Sequence, residues 1–239
     1  MEALDAARPS ETVRSRVPWV VARGKSGLAE WSLEQRLPGE RPRGAIAGAL
    51  LGDCIEFLVG LNALRATGVE GDSFRAQADT VASAVGSGDA HRVHKLAADL
   101  DRDLASVPRG FGHGDFFQGN LLVEGEKLTG VVDWEAAGPA RLPLLDLLHL
   151  MHSGDGNRND LEWGPSLVDE LLPWAERGGD ETSAEYCERL GLEMTPETLR
   201  RFVIAYWLDR AAFQLRTYPR RSQSAWLRLN IDHVVAAVT

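Results

Sequence analysis

The chain has 239 residues, enough for one large domain or two small ones. Apolar residues make up 44% and charged residues 26%, so a core can be buried. The net charge of −9 comes without a basic stripe and argues against a nucleic-acid binder, and no run approaches the roughly 18 apolar residues of a membrane span.

Residues 2–16 mix helix formers with Pro9 and predict a helix, a break and a short continuation. Residues 17–22 read as a strand, 23–27 as a turn and 28–35 as a second strand, together a hairpin. Pro38, Gly39 and Pro42 form a linker that divides the chain into 1–38 and 39–239. From Ala45 the spacing of Ile46, Leu50, Ile55, Leu58, Leu61 and Leu64 is helical, and further helices are expected at 73–85 and 89–105. Residues 112–134 depart from this pattern as loop, strand, turn and strand. Helices return at 143–152, 165–177, 182–190, 196–216 and 222–238, with a polar loop at 155–160.

Several motifs fail on inspection. Gly24, Lys25 and Ser26 lack the earlier glycine of a phosphate loop, because Trp19 stands there. Asp99, Asp101 and Asp103 lack the glycine and glutamate of a calcium loop, as does 155–160. His91 and His94 have no third ligand nearby. Cys54 and Cys187 give neither metal spacing nor a disulfide framework, which fits a reducing compartment. The first ten residues have no signal-peptide core, so a cytoplasmic location is expected.

The informative stretch contains His113, Gly114 and Asp115, then Asn120, then Asp133 and Trp134. Residues 121–123 and 128–132 are apolar and β-favouring, and 124–127 between them is a turn. The hairpin should bring Asn120 and Asp133 together at its open end, with Asp115 in a glycine-flanked loop beside them. Magnesium takes oxygen ligands, and phosphoryl transfer needs a metal and a carboxylate to receive the proton of the attacking hydroxyl. Asn120 and Asp133 suit the metal, and Asp115 suits the base. Turn chemistry explains each residue singly but not the spaced set. A structural loop role is favoured for His113, and a helix-start carboxylate is as good a reading of Asp146 as a functional one.

This pattern resembles the aminoglycoside phosphotransferase and choline kinase-like enzymes, relatives of the protein kinases. The resemblance runs over residues 17–152, and more loosely beyond. It implies an α+β, protein-kinase-like fold with a mostly helical carboxy-terminal lobe and an embedded catalytic hairpin. It implies that Asp115 is the catalytic base, that His113 shapes the catalytic loop, that Asn120 and Asp133 hold Mg2+, and that Asp146 supports the loop. Residues 33–39 resemble the hinge, where Glu34 and Arg36, with Leu122 and Val132, would meet ATP. Trp207, Asp209, Arg210 and Phe213 lie on a late helix of the kind the family uses for substrates, although an ordinary amphipathic helix with aromatic core residues is the better reading of each residue alone.

The family's phosphate-covering loop and its lysine are not found. The lysines are Lys25, Lys95 and Lys127, and no glycine precedes Gly24. Residues 2–16 resemble a remnant of the glutamate-bearing helix, with Glu2 or Glu11 as that glutamate. The expected function is an ATP- and Mg-dependent phosphotransferase acting on a small-molecule hydroxyl. The alternatives are a catalytically impaired, pseudokinase-like binding module and a metal-dependent hydrolase. An uncovered hairpin edge in an incomplete amino-terminal lobe leads to an expectation of self-association or a partner chain.

Overall fold

The computed structural model describes residues 4, 9–27, 29–64, 73–153, 163–218 and 224–239. In chain order these form α1 (Glu11–Arg14), β1 (Val20–Ser26), β2 (Ala29–Glu34), α2 (Gly48–Asn62), α3 (Arg75–Ala82), α4 (Ser87–Asp103) and β3 (Gly110–Gly112). After a 3-10 turn at Gln118–Asn120 come β4 (Leu121–Glu124), β5 (Lys127–Val131), β6 (Gly138–Arg141) and α5 (Leu145–Ser153). Then follow α6 (163–176), α7 (Glu181–Arg189), α8 (Pro196–Thr217) and α9 (224–238). The contacts divide the chain into two compact units, Met1–Gly71 with Arg109–Asp155 and Asp72–Pro108 with Gly156–Thr239. The expected lobe boundary at 38/39 falls inside the first unit. Glu2 and the polar loop at 155–160 lie outside the described residues.

The first unit holds three two-stranded antiparallel sheets among the described residues. The β1–β2 hairpin differs from expectation, because the segment foreseen as a turn at 23–27 continues as strand to Ser26. Gly24 pairs with Trp31, whose indole fills the space a side chain would need, 2.3 Å from an added Cβ. Lys25 Nζ sits 2.6 Å from Glu30 across the ladder. The reversal falls instead at Gly27, whose φ of +62° suits glycine. Trp19, Val21, Trp31 and Leu33 are exposed on this hairpin.

The β4–β5 hairpin lies within one residue of its predicted limits, and both its edges are occupied. Val123 exchanges backbone bonds with Glu40, and the Val131 N–H donates to the Arg16 carbonyl at 2.8 Å. The Arg16 guanidinium also donates to the Leu128 carbonyl and pairs with Asp53 at 3.6 Å. The β3–β6 pair was not anticipated. Its strands contain Gly110, Gly112, Gly138 and Pro139, residues depleted in strands, so no β pattern is visible in them.

Helix α2 supplies the floor of this unit through Phe57, Leu58 and Leu61, all fully buried. Strand β3 docks at its end. Gly110 presses against the Asn62 carbonyl so closely that a Cβ would stand 1.9 Å from the oxygen, and the Phe111 N–H donates to Leu64 O at 2.9 Å. This contact sets where the chain enters the loop at His113.

The second unit is helical. Thr195 caps α8 by accepting from the Thr198 N–H, and Pro196 occupies the first helical position. Asp180 and Ser183 form a reciprocal cap on α7. Helices α6 and α9 each contain a π turn, Leu167–Leu171 and Arg228–Asp232. Within the latter, buried Asn230 accepts from the Gly164 N–H at 2.7 Å and donates to Trp226 O at 3.1 Å. Its own carbonyl accepts from Trp207 Nε1 at 2.9 Å, which makes Trp207 a core anchor. Arg210 lies 4.6 Å over the Phe213 ring. Asp99 pairs with Lys95 and Arg102 on a solvated face of α4. No helix among the described residues is long and apolar enough to cross a membrane.

Gly110→Ala is expected to destabilise the protein by at least about 2 kcal/mol, because backbone rather than a mobile side chain blocks the new methyl group. Urea unfolding followed by circular dichroism measures this, and an unchanged midpoint would contradict the docking of β3 on α2.

Candidate functional site

The predicted site residues His113, Asp115, Asn120, Asp133 and Asp146 all belong to the first unit. The loop between β3 and the 3-10 turn is held chiefly by Asp146 in the first turn of α5. One carboxylate oxygen accepts from the His113 N–H at 2.7 Å, the other from the Gly114 N–H at 2.8 Å. Gly114 has a φ of +81°, and an added Cβ would stand 2.4 Å from the Ala136 carbonyl, so a side chain fits there on neither count.

His113 joins the loop to the hairpin. Its Nε2 lies 3.0 Å from the Val132 carbonyl, which can only accept, so Nε2 carries the hydrogen. Nδ1 is then the acceptor and takes the Asp115 N–H at 3.2 Å. The ring is fully buried, edge-on to Trp134 at 4.7 Å and to Phe116 at 5.9 Å. Phe116 stacks on Phe57 at 5.8 Å, and Trp134 Nε1 donates to Val131 O at 2.8 Å. Burial lowers the pKa of His113 and outweighs the opposing pull of Asp146 and the other nearby carboxylates.

Asn120 is buried, and its backbone carbonyl accepts from the Val132 N–H at 2.9 Å. The hairpin therefore ends with Asn120 beside the residue that precedes Asp133. The Asn120 side-chain amide donates to the Asp115 carbonyl at 3.0 Å and to Asp115 Oδ2 at 3.2 Å. Asp133 is exposed and adopts a left-handed φ of +65°. Leu144, just before α5, has a φ of +70°, so both non-glycine residues in this conformation among those described flank the site.

The segment expected to act as a hinge is fastened to the same hairpin. Buried Leu37 packs against Gly130, and Thr129 Oγ1 donates to Pro38 O at 2.8 Å. Leu122 and Val132 are half-buried on the hairpin, while Glu34 ends β2 and Arg36 is exposed. Glu34 and Arg36 enter none of the bonds described for the loop.

Two contacts escaped the sequence reading. His149 Nε2 lies 3.2 Å from Asp115 Oδ1. Its signal was its position three residues after Asp146 on one helix face. Gln118 Nε2 donates to the carbonyls of Pro42 and Gly44 at 3.0 and 2.9 Å, tying the loop to the linker. No sequence pattern marks that contact.

The oxygen donors offered by Asn120 and Asp133 match a hard cation that keeps water and phosphate in its remaining positions. Among the described residues no cluster of three or more His, Cys, Asp or Glu forms a metal cage.

A family model described as phosphotransferase enzyme family matches residues 1–186. The chain belongs to this phosphotransferase family. Among solved structures, a thermostable mutant of aminoglycoside phosphotransferase APH(4)-Ia in ternary complex with ADP and hygromycin B has a TM-score of 0.58 at 16% identity, covering 99% of this chain and 81% of that one. APH(3'')-Id from Streptomyces rimosus ATCC10970, in complex with ADP and streptomycin, has a TM-score of 0.54 at 16% identity, covering 87% and 78%. APH(2'')-Ib, ADP-bound, has a TM-score of 0.54 at 14% identity, covering 99% and 78%. At such identities the likeness speaks for the fold, which is protein-kinase-like. No curated protein sequence matches the chain.

The neutral, buried His113 of this phosphotransferase gives stability a pH dependence of definite sign. Its folded pKa lies below the unfolded value of about 6.5. No penalty exists above that value, and as pH falls beneath it the unfolded chain gains a proton that the native ring refuses. Wild type is therefore expected to lose up to about 1.4 kcal/mol per pH unit on this account. Denaturant midpoints between pH 7.5 and 5.5 should fall more steeply in wild type than in His113→Gln, and parallel lines would refute the assignment.

Proposed function

We propose that this phosphotransferase moves the terminal phosphoryl group of ATP, with magnesium, to a hydroxyl of a small molecule. The observation that carries the reading is the placement of the Asp115 carboxylate. It is anchored by Asn120 at the open end of a hairpin that continues directly into Asp133. Asp115 receives the acceptor hydroxyl's proton as the new oxygen–phosphorus bond forms and the bond to the β-phosphate oxygen breaks, releasing ADP. Asn120 holds the base through its amide nitrogen and turns its amide oxygen to the metal role, shared with Asp133. Magnesium, when bound there, neutralises phosphate charge. Leu122 and Val132, with the hinge around Glu34 and Arg36, form the nucleotide side.

The co-bound molecules named for the structural neighbours, ADP with hygromycin B and ADP with streptomycin, support a nucleotide paired with a hydroxyl-rich amine as the substrate class. The acidic net charge is compatible with a cationic acceptor.

A second reading, a nucleotide-binding module of low turnover, is favoured by the lysines. Lys25 is exposed and committed to Glu30, and Lys127 lies at the turn end of the hairpin, opposite Asn120. Arg16, another candidate phosphate cation, is bound to Leu128 O and Asp53.

Magnesium-ATP titration of residues 1–239, followed by a screen of aminoglycosides, amino-alcohols and sugars for phosphorylated product, separates these readings. Binding without product favours the module, and free phosphate in place of product indicates hydrolysis. Asp115→Asn should lower turnover by roughly 10²–10⁴-fold while the fold persists. Unchanged turnover would remove Asp115 from the mechanism. Asp133→Ala should abolish magnesium-dependent nucleotide binding, and Asn120→Ala should weaken it. Equal magnesium-ATP affinity in Asp133→Ala and wild type would count decisively against this metal assignment.

A further inference from the structure

The two oxygens of the Asp115 carboxylate have different neighbours. Asn120 Nδ2 donates to Oδ2, and His149 Nε2 lies 3.2 Å from Oδ1. His149 comes from α5, one helical turn after Asp146. A single face of α5 thus reaches the loop twice, with Asp146 on the backbone of His113 and Gly114 and His149 on the next side chain.

The His149–Asp115 pair is largely withdrawn from water, with side-chain exposures of 12% and 18%. In such a setting a hydrogen bond competes little with solvent and orients firmly. An ionised carboxylate only accepts, so the bond requires a hydrogen on Nε2. The Phe117 ring, 5.7 Å away and tilted by 50°, backs the imidazole. The Asn120 amide reaches Oδ2 and His149 reaches Oδ1, and a carboxylate gripped at one oxygen rotates about χ2 more freely than one gripped at both. With both oxygens held, that rotation is restricted.

We propose that His149 is a positioning residue for the phosphotransfer base. Its Nε2–H fixes the plane of the Asp115 carboxylate, so the remaining lone pairs keep one direction toward the incoming hydroxyl. This rests on Asp115 being the base. The gain belongs to geometry in the reacting complex, so it appears in kcat and not in nucleotide affinity.

The test has two arms. In the kinetic arm His149→Leu, which lacks the donor, should lower kcat about 10- to 10²-fold with KM for magnesium-ATP unchanged. His149→Gln, whose amide can still donate, should recover most of the loss. In an Asp115→Asn background His149→Leu should cost nothing further, because the residue acts only through the base. Wild-type kcat in His149→Leu, or a full additional loss in the double variant, would overturn the proposal. The second arm reads imidazole nitrogen resonances of the whole, folded chain and needs no turnover. His149 should carry hydrogen on Nε2, and Asp115→Asn should shift that resonance while the His113 tautomer stays. A bare Nε2 overturns the proposal even if His149→Leu fails to fold. A wild type that transfers no phosphate refutes the functional reading, and the nitrogen spectra still decide the hydrogen bond.

Discussion

The carboxylate of Asp146 is the interaction on which the site depends. Two consecutive backbone N–H groups, on His113 and Gly114, converge on its two oxygens within a buried region. Two neighbouring amides can face one carboxylate only when the chain bends sharply, and the bend needs the left-handed Gly114 beside Ala136. That geometry turns His113 inward, under Trp134, and leaves Asp115 turned toward Asn120. Removing the carboxylate would take an acceptor from two buried donors at once.

His113 then ties the loop to the hairpin. As a neutral ring it is acceptor to the loop and donor to the hairpin at once, a pair of duties that neither a protonated imidazole nor a lysine could perform. Burial holds it in that state. The site thus combines a buried layer, neutral His113 beside the Asp146 carboxylate, with an outer pair of carboxylates, Asp115 half-buried and Asp133 exposed. Burial also pushes the thiols of Cys54 and Cys187 up to about 12, so neither cysteine is a nucleophile near neutral pH.

Much of this was legible in the sequence, for a physical reason. The spacing from Asp115 to Asn120 to Asp133 is local, and a hairpin converts local spacing directly into proximity. The helices after Pro143 matched their expected ranges closely. The β3–β6 pair was hidden because Gly110, Gly112, Gly138 and Pro139 carry no strand signal, and their pairing depends on Asn62 and Leu64, far off in the chain. The turn of the first hairpin was placed early because Gly24 reads as a breaker, whereas it exists to admit the Trp31 ring. His149 was passed over since a histidine in a leucine-rich helix reads as core until the loop is folded over it.

The β4–β5 hairpin has Arg16 along one edge and Glu40 along the other. Strands sealed on both sides cannot slip, and a slip of one residue would send Asp133 to the wrong face. Added or deleted residues within 128–133 would break these bonds together. The exposed turn at Gly125 and Glu126 is the exception, since its backbone is held by neither neighbour. Lengthening the chain there leaves Asn120 and Asp133 in register, so this tip, at the far end of the hairpin from the candidate site, is where a reporter peptide can be grafted without disturbing it.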